Sequence, residues 1–253
     1  MQKLTTVWQY KIMQNFKASQ TLLATLLALA ATIPASNASS LPPALLDRYY
    51  QGVTYFKHGE LDKALELFKM VSLSAPSDPL VHISLAAALQ QKGDTEDAIA
   101  EYRRAILIRP DDAFACESLG LLLQSQGQLM EALQEYQEAI KLRPDVPLLH
   151  FNLGIAERTA GNYQEAISQL LQVIQAYPDH LKAKAQLAAT YQDNGNFHEA
   201  IEEYQSLLPQ DPDNFSLHFN LATAFLSQSP SWIRPIFPTS DRQFLGCNKH
   251  LDN

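Results

Sequence analysis

Three histidines and a cysteine invite a search for chemistry. His82, Cys116, His150 and His218 fall in one column of the sequence, with steps of 34, 34 and 68 residues. A metal ladder is the first idea. Equivalent positions on neighbouring helices, however, lie about 8–10 Å apart, whereas zinc needs its ligands within about 2.0–2.3 Å of a single point. Arg48 and Lys184 fill the same column elsewhere, which suits a half-exposed slot better than a ligand set. Cys116 sits in the middle of an amphipathic run, where cysteine behaves as a small apolar residue. Cys247 lies in the tail and is the more reactive by exposure. Two cysteines permit one Cys116–Cys247 bridge and no disulfide framework. His198-Glu199 lacks the second histidine four residues on that a zinc protease helix needs, and no nucleophile elbow or phosphate-cradling glycine loop is present. The expectation is a protein with no catalytic residues, no metal and no cofactor.

The elements that carry these residues repeat. Gly59, Gly93, Gly127, Gly161 and Gly195 are each 34 residues apart, as are Pro76, Pro110, Pro144, Pro178 and Pro212. Ala64, Ala98, Ala132, Ala166 and Ala200 keep the step, and so do Leu65, Ile99, Leu133, Ile167 and Ile201. Within 113–146, Cys116, Leu119, Leu122 and Leu123 lie on one helical face. Gly127 then suits a helix C-terminus with positive φ. Ala132, Leu133, Tyr136, Ala139 and Ile140 form the apolar face of a second helix over 129–142, and Pro144 stops it. Each unit is thus two antiparallel helices of about 12–14 residues. Small residues at Gly52, Ala86, Gly120, Gly154, Ala188 and Ala222 let paired helices approach. Phe68, Tyr102, Tyr136 and Tyr204 supply the wedge between units, with Leu170 in the fourth.

This pattern resembles the tetratricopeptide repeat (TPR). Leu119-Gly120, Leu153-Gly154, Tyr55, Tyr191, Ala105, Ala139 and the five prolines stand in the places of that family's motif. The resemblance implies an all-α, right-handed superhelical array of helix pairs, with repeats at 45–78, 79–112, 113–146, 147–180 and 181–214. Glu101, Glu131, Glu135, Glu138, Glu199, Glu202 and Glu203 then fall on second helices. They read as a solvated convex face, with a cation-binding surface as the alternative.

Both ends depart from the repeat. Residues 1–38 hold Lys3, Lys11 and Lys17 and no acid, although the whole chain carries a formal charge of −8. The uncharged run 21–33, TLLATLLALAATI, precedes Pro34 and the small residues Ala35, Ser36 and Ala38. That order describes a secretory signal cleaved after Ala38, or an uncleaved anchor. The run is shorter than the roughly 20 residues that span a bilayer. Membrane contact is therefore expected only through 21–33, and only if it is retained. Residues 39–44 read as a linker. A half-repeat, 215–228, caps the array, since stacked repeats need a terminal cap. Pro230, Pro235 and Pro238 bar a helix from the tail 229–253, which reads as divergent, truncated or frame-shifted.

The resemblance puts function on the concave face, lined by first helices. Carried over position by position, the groove residues are Leu46, Tyr49, Val53 and Phe56; Leu80, Ile83 and Gln90; Phe114, Leu121 and Gln124; and Leu148, Phe151, Ile155 and Arg158. The paired groove positions Tyr49/Val53, Ile83/Ala87, Glu117/Leu121, Phe151/Ile155 and Ala185/Ala189 lack the Lys and Asn of the subclass that grips acidic chaperone tails. An apolar groove edged by glutamine suits an amphipathic helix or apolar peptide. The acidic balance argues against nucleic acid. The expectation is a non-catalytic protein-binding scaffold, exported (periplasmic, lumenal or secreted) or membrane-anchored. The alternatives are the regulatory part of a larger or truncated enzyme or transferase, and a cytosolic adaptor.

Overall fold

The computed structural model describes residues 41–228. The leader 1–38, residues 39–40 and the tail 229–253 lie outside the described residues, as does Cys247; of the expected 39–44 linker, Pro43 and Ala44 instead form the first turn of the first helix, because proline is accepted at a helix start. Among the described residues there are eleven α-helices and no strand.

The chain divides into two compact units, 1–144 and 145–253. The described part of the first unit holds α1 (Pro43–Lys57), α2 (Leu61–Ser74), α3 (Pro79–Lys92), α4 (Thr95–Ile108), α5 (Ala113–Ser125) and α6 (Leu129–Leu142). The second holds α7 (Pro147–Ala160), α8 (Tyr163–Ala176), α9 (Leu181–Asp193), α10 (Phe197–Leu207) and α11 (Phe215–Gln228). Helices pair in chain order, α1 with α2 through α9 with α10. The pairing is antiparallel. His150 near the start of α7 meets Gln169 at 2.7 Å in α8, while Glu157 near its end meets Asn162 at 2.5 Å, just before α8 begins.

Glycine and proline punctuate the unit. At Gly93 the backbone takes φ +96°, a left-handed geometry open to glycine at little cost. This lets the Asp94 N–H reach back to the Leu89 carbonyl at 2.9 Å, closing the helix as a Schellman turn. The same six-residue closure recurs from Gln128 to Leu123 and from Asn162 to Glu157. Prolines open α1, α3 and α7, where the missing N–H is no loss. Asp78 and Asp112 cap α3 and α5 through their carboxylates. The fifth second helix is shorter than the 12–14 residues the repeat predicts: α10 has 11 residues and ends at Leu207, because Pro209 arrives early.

The small-residue column explains how a pair closes. A Cβ placed on Gly120 would come within 2.9 Å of the Tyr136 ring, and one on Gly52 within 2.8 Å of Phe68. The wedge therefore packs first against its own first helix. In the fourth repeat Gly154 meets the branched Leu170 instead. Phe68, Tyr102, Tyr136 and Tyr204 are fully buried, and burial raises the phenol pKa of Tyr102 and Tyr136 well above its ordinary value. In the second unit α11 packs on α10 and α9, closing a core of Ala188, Ile201, Tyr204, Leu207, Leu217 and Ala224.

Candidate functional site: the faces of the first helices

The titratable column resolves into packing roles. His82 is buried between two acceptors: Nδ1 lies 2.6 Å from Glu101 Oε2, and Nε2 lies 3.0 Å from the Pro76 carbonyl. Each ring nitrogen thus has a hydrogen-bond partner. Glu101 in turn accepts from Arg104 at 2.5 Å. Glu101 is thus buried, unlike the solvated acid expected from its place among the convex-face glutamates, because it answers His82 and Arg104. Glu131 and Glu138 remain exposed and pair with Arg103 and Lys141. Cys116 is free and buried, and burial pushes its thiol up to about 12, with the nearby carboxylates of Glu135, Asp112 and Glu138 adding to the shift. Among the described residues, no group of three His, Cys, Asp or Glu side chains could hold a metal ion.

In the first unit the groove positions differ by repeat. On α1, Tyr49, Val53 and Phe56 are buried and Leu46 is half-buried. The Tyr49 hydroxyl lies 2.8 Å from Ser84 Oγ on α3, and its ring leans on Phe68. Burial pushes that phenol up to about 12. On α3, Leu80 is buried and Ile83 is 0% exposed, while Gln90 is half-buried and accepts from Tyr102 at 3.4 Å. On α5 the face opens: Leu121 is 39% exposed and Phe114 half-buried. Gln124 turns back to accept from Tyr136 at 2.8 Å.

In the second unit the first helices α7, α9 and α11 lie side by side. Leu148 is 49% exposed, and Phe151 and Ile155 are half-buried, with the Phe151 ring 5.4 Å from the His180 ring. Arg158 bridges α7 to α9, donating from Nε to Asp193 at 2.8 Å and from a terminal nitrogen to Gln186 at 2.9 Å. The strip continues through Leu181, Ala185 and Ala189 to Phe219 and Leu226, with Phe219 36% and Leu226 48% exposed. The sequence reading carried groove positions no further than the fifth repeat, at Ala185 and Ala189. Phe219 stands in the column of Phe151, so the repeat period alone could have carried the groove onto α11. The Ser84 partner of Tyr49 and the Arg158 bridge had no such signal, because each joins different repeats through positions the motif leaves free. Among the described residues no helix is long and apolar enough to cross a membrane.

Family profiles described as tetratricopeptide repeat match residues 118–180 and 157–225, and one described as TPR repeat matches 88–127. No curated protein matches the sequence significantly. Among solved structures, the protein MamA is 21% identical, with a TM-score of 0.61 over 64% of this chain and 94% of its own. A tetratricopeptide repeat protein from Parabacteroides merdae is 17% identical, with a TM-score of 0.68 over 74% of both chains. YrrB, described as a TPR protein with an unusual peptide-binding site, is 20% identical, with a TM-score of 0.64 over 70% of this chain and 90% of its own. At these identities the likeness is one of fold.

Proposed function

Since the chain belongs to the tetratricopeptide-repeat family, we propose that it is a non-catalytic scaffold whose second unit holds an apolar segment of a protein partner across α7, α9 and α11. The observation that carries this reading is the set of exposed or half-buried apolar side chains on the three neighbouring first helices: Leu148, Phe151 and Ile155 on α7, Leu181 on α9, and Phe219 and Leu226 on α11. A row of this kind left in water is unfavourable and marks an interaction surface. Spaced along parallel first helices, it fits an amphipathic helix or extended apolar peptide. The Arg158–Asp193 bridge fixes α7 against α9 without placing an unpaired charge under the peptide. The chain's net charge of −8 favours a protein over a nucleic acid as the partner. The lysine-led, acid-free residues 1–38 support export, or anchoring at a membrane through 21–33.

Two experiments test the two parts. Peptides selected from a random displayed library on the full chain are expected to carry Leu, Ile or Phe at helical or alternating spacing. Leu148→Asp with Phe219→Asp should weaken them at least about tenfold, on the order of 1.4 kcal/mol. Selected peptides that bind this double variant as tightly as the parent would overturn the groove reading. N-terminal sequencing and fractionation from the native host address export. A start near Ser39 in the exported fraction, or an intact chain in the membrane, supports it, and an intact Met1 in the cytosol contradicts it.

A further inference from the structure

α11 leaves in water a face that the other first helices close. Ala222 stands in the small-residue column of Gly52, Ala86, Gly120, Gly154 and Ala188. Those five are all buried, and the second helix of the same repeat lies against Gly52, Gly120 and Gly154. Ala222 is exposed. Phe225 shares a column with Leu89 and Leu123, which are 2% and 1% exposed, yet it is itself 44% exposed. The described helices packed on α11 are α10 and, through a smaller contact, α9. They cover its opposite side, where Leu217 and Ala224 join the core.

The exposed residues form a seam. Phe215, His218, Ala222 and Phe225 are all exposed and follow at steps of three, four and three. At 100° per residue they fall within a stripe about 80° wide. This is the a/d spacing by which two helices pack along each other. The seam also reads almost alike in both directions. Phe215 and Phe225 lie five residues either side of position 220, and His218 and Ala222 lie two either side. An antiparallel copy therefore sets ring against ring at both ends and the larger His218 over the small Ala222 twice between them. Self-complementarity of this kind is what a twofold pair requires and what a helix of another sequence does not. Charge agrees: the chain carries −8, so copies repel, yet α11 is the one helix of the eleven described with no Asp, Glu, Lys or Arg.

We propose that α11 is a self-association face, on which two copies of this chain pair antiparallel along Phe215, His218, Ala222 and Phe225. The face borders the peptide groove, since the Phe215 and Phe219 rings lie 6.2 Å apart, but does not depend on it. At about 200 Å² for each ring, the exposed fractions of Phe215 (80%) and Phe225 (44%) leave on the order of 250 Å² of ring surface in water per copy. A pair then hides on the order of 500 Å² of ring, which places it among weak, reversible associations, with a Kd on the order of tens of micromolar.

Sedimentation velocity on the full chain tests this without any partner, so its result is independent of whether the second unit binds peptide. The chain is expected to be monomeric at about 5 μM and largely dimeric by about 500 μM. Ala222→Glu places two carboxylates in the seam and should raise the dimer Kd at least about tenfold with the helical circular dichroism unchanged. Leu148→Asp, in the groove of α7, should leave the dimer as it is. A second measurement reads the register. In the chain carrying Cys247→Ser, Ala222→Cys lies close to the twofold axis and should close a disulfide-linked dimer at least about tenfold faster than Leu107→Cys on α4. A chain that stays monomeric throughout, whether its own tail or water covers α11, would overturn the proposal. So would a dimer that survives Ala222→Glu, one that is lost with Leu148→Asp, or equal cross-linking from the two cysteines.

Discussion

The same two columns of the 34-residue unit meet opposite fates in α3 and α7. Ile83 and Phe151 share one column and Ala87 and Ile155 another, yet Ile83 and Ala87 are buried while Phe151 and Ile155 are partly open. The local helices are alike in length and both start at proline. What differs is composition: between Leu80 and Leu89 the only polar residues of α3 are His82 and Ser84, both buried and hydrogen-bonded, whereas α7 carries Asn152, Glu157 and Arg158 among its apolar residues. A helix that is apolar all round must be covered on all sides. One with a mixed surface can leave a strip for a partner. The repeat sets where side chains stand, and the composition of each helix sets whether they face protein or water.

The contrast breaks most visibly under a charge. Ile83→Asp places an unpaired carboxylate in a closed face and is expected to cost about 3 kcal/mol or more, while Leu148→Asp stays within about 0.5 kcal/mol. Urea denaturation followed by circular dichroism reads both, and equal losses would erase the distinction. Histidines of one column give a second matched pair. His82→Ala strands the buried Glu101 and is expected to cost about 1–3 kcal/mol. His150→Ala, half-buried against the neutral Gln169, should cost less.

Cys116 sharpens the picture through kinetics. With the Cys116 thiol pushed up to about 12, the native chain carrying Cys247→Ser should resist alkylation at pH 8, and unfolding in urea should release a fast phase. The folded thiol holds its proton more tightly than the unfolded one. Stability from this group is therefore complete below the ordinary thiol value of 9.0 and declines as pH rises toward about 12, a slope that Cys116→Ala removes. The smallest expected effect is at Arg158. Arg158→Ala breaks a half-exposed bridge worth about 0.5 kcal/mol, leaves the first unit unchanged, and is read as a small shift in the same denaturation curve.

The fold was legible because its signals are periodic. Gly93 and its equivalents mark each helix end, and helix 215–228 shows in the sequence through Phe219-Asn220-Leu221-Ala222. The groove was legible as positions and not as surfaces. Nothing in the motif tells Ile83 from Phe151, since exposure depends on neighbours contributed by other repeats. Glu101 was misread for the same reason. Its pattern is that of a solvated helix face, and only the packing of α3 on α4 brings His82 within 2.6 Å. The early end of α10 departs from the repeat expectation, although Pro209, which breaks the alignment, stands in plain view in the sequence.

The central claim is that the open face of the second unit is where this protein meets its partner. A photo-crosslinking residue placed at position 148 in the native host, with position 107 on the exposed side of α4 as control, tests it directly. The account predicts a discrete protein adduct from position 148 that is absent from position 107 and lost with Phe219→Asp. The same adduct from both positions, or an adduct from 148 that Phe219→Asp leaves intact, would contradict it.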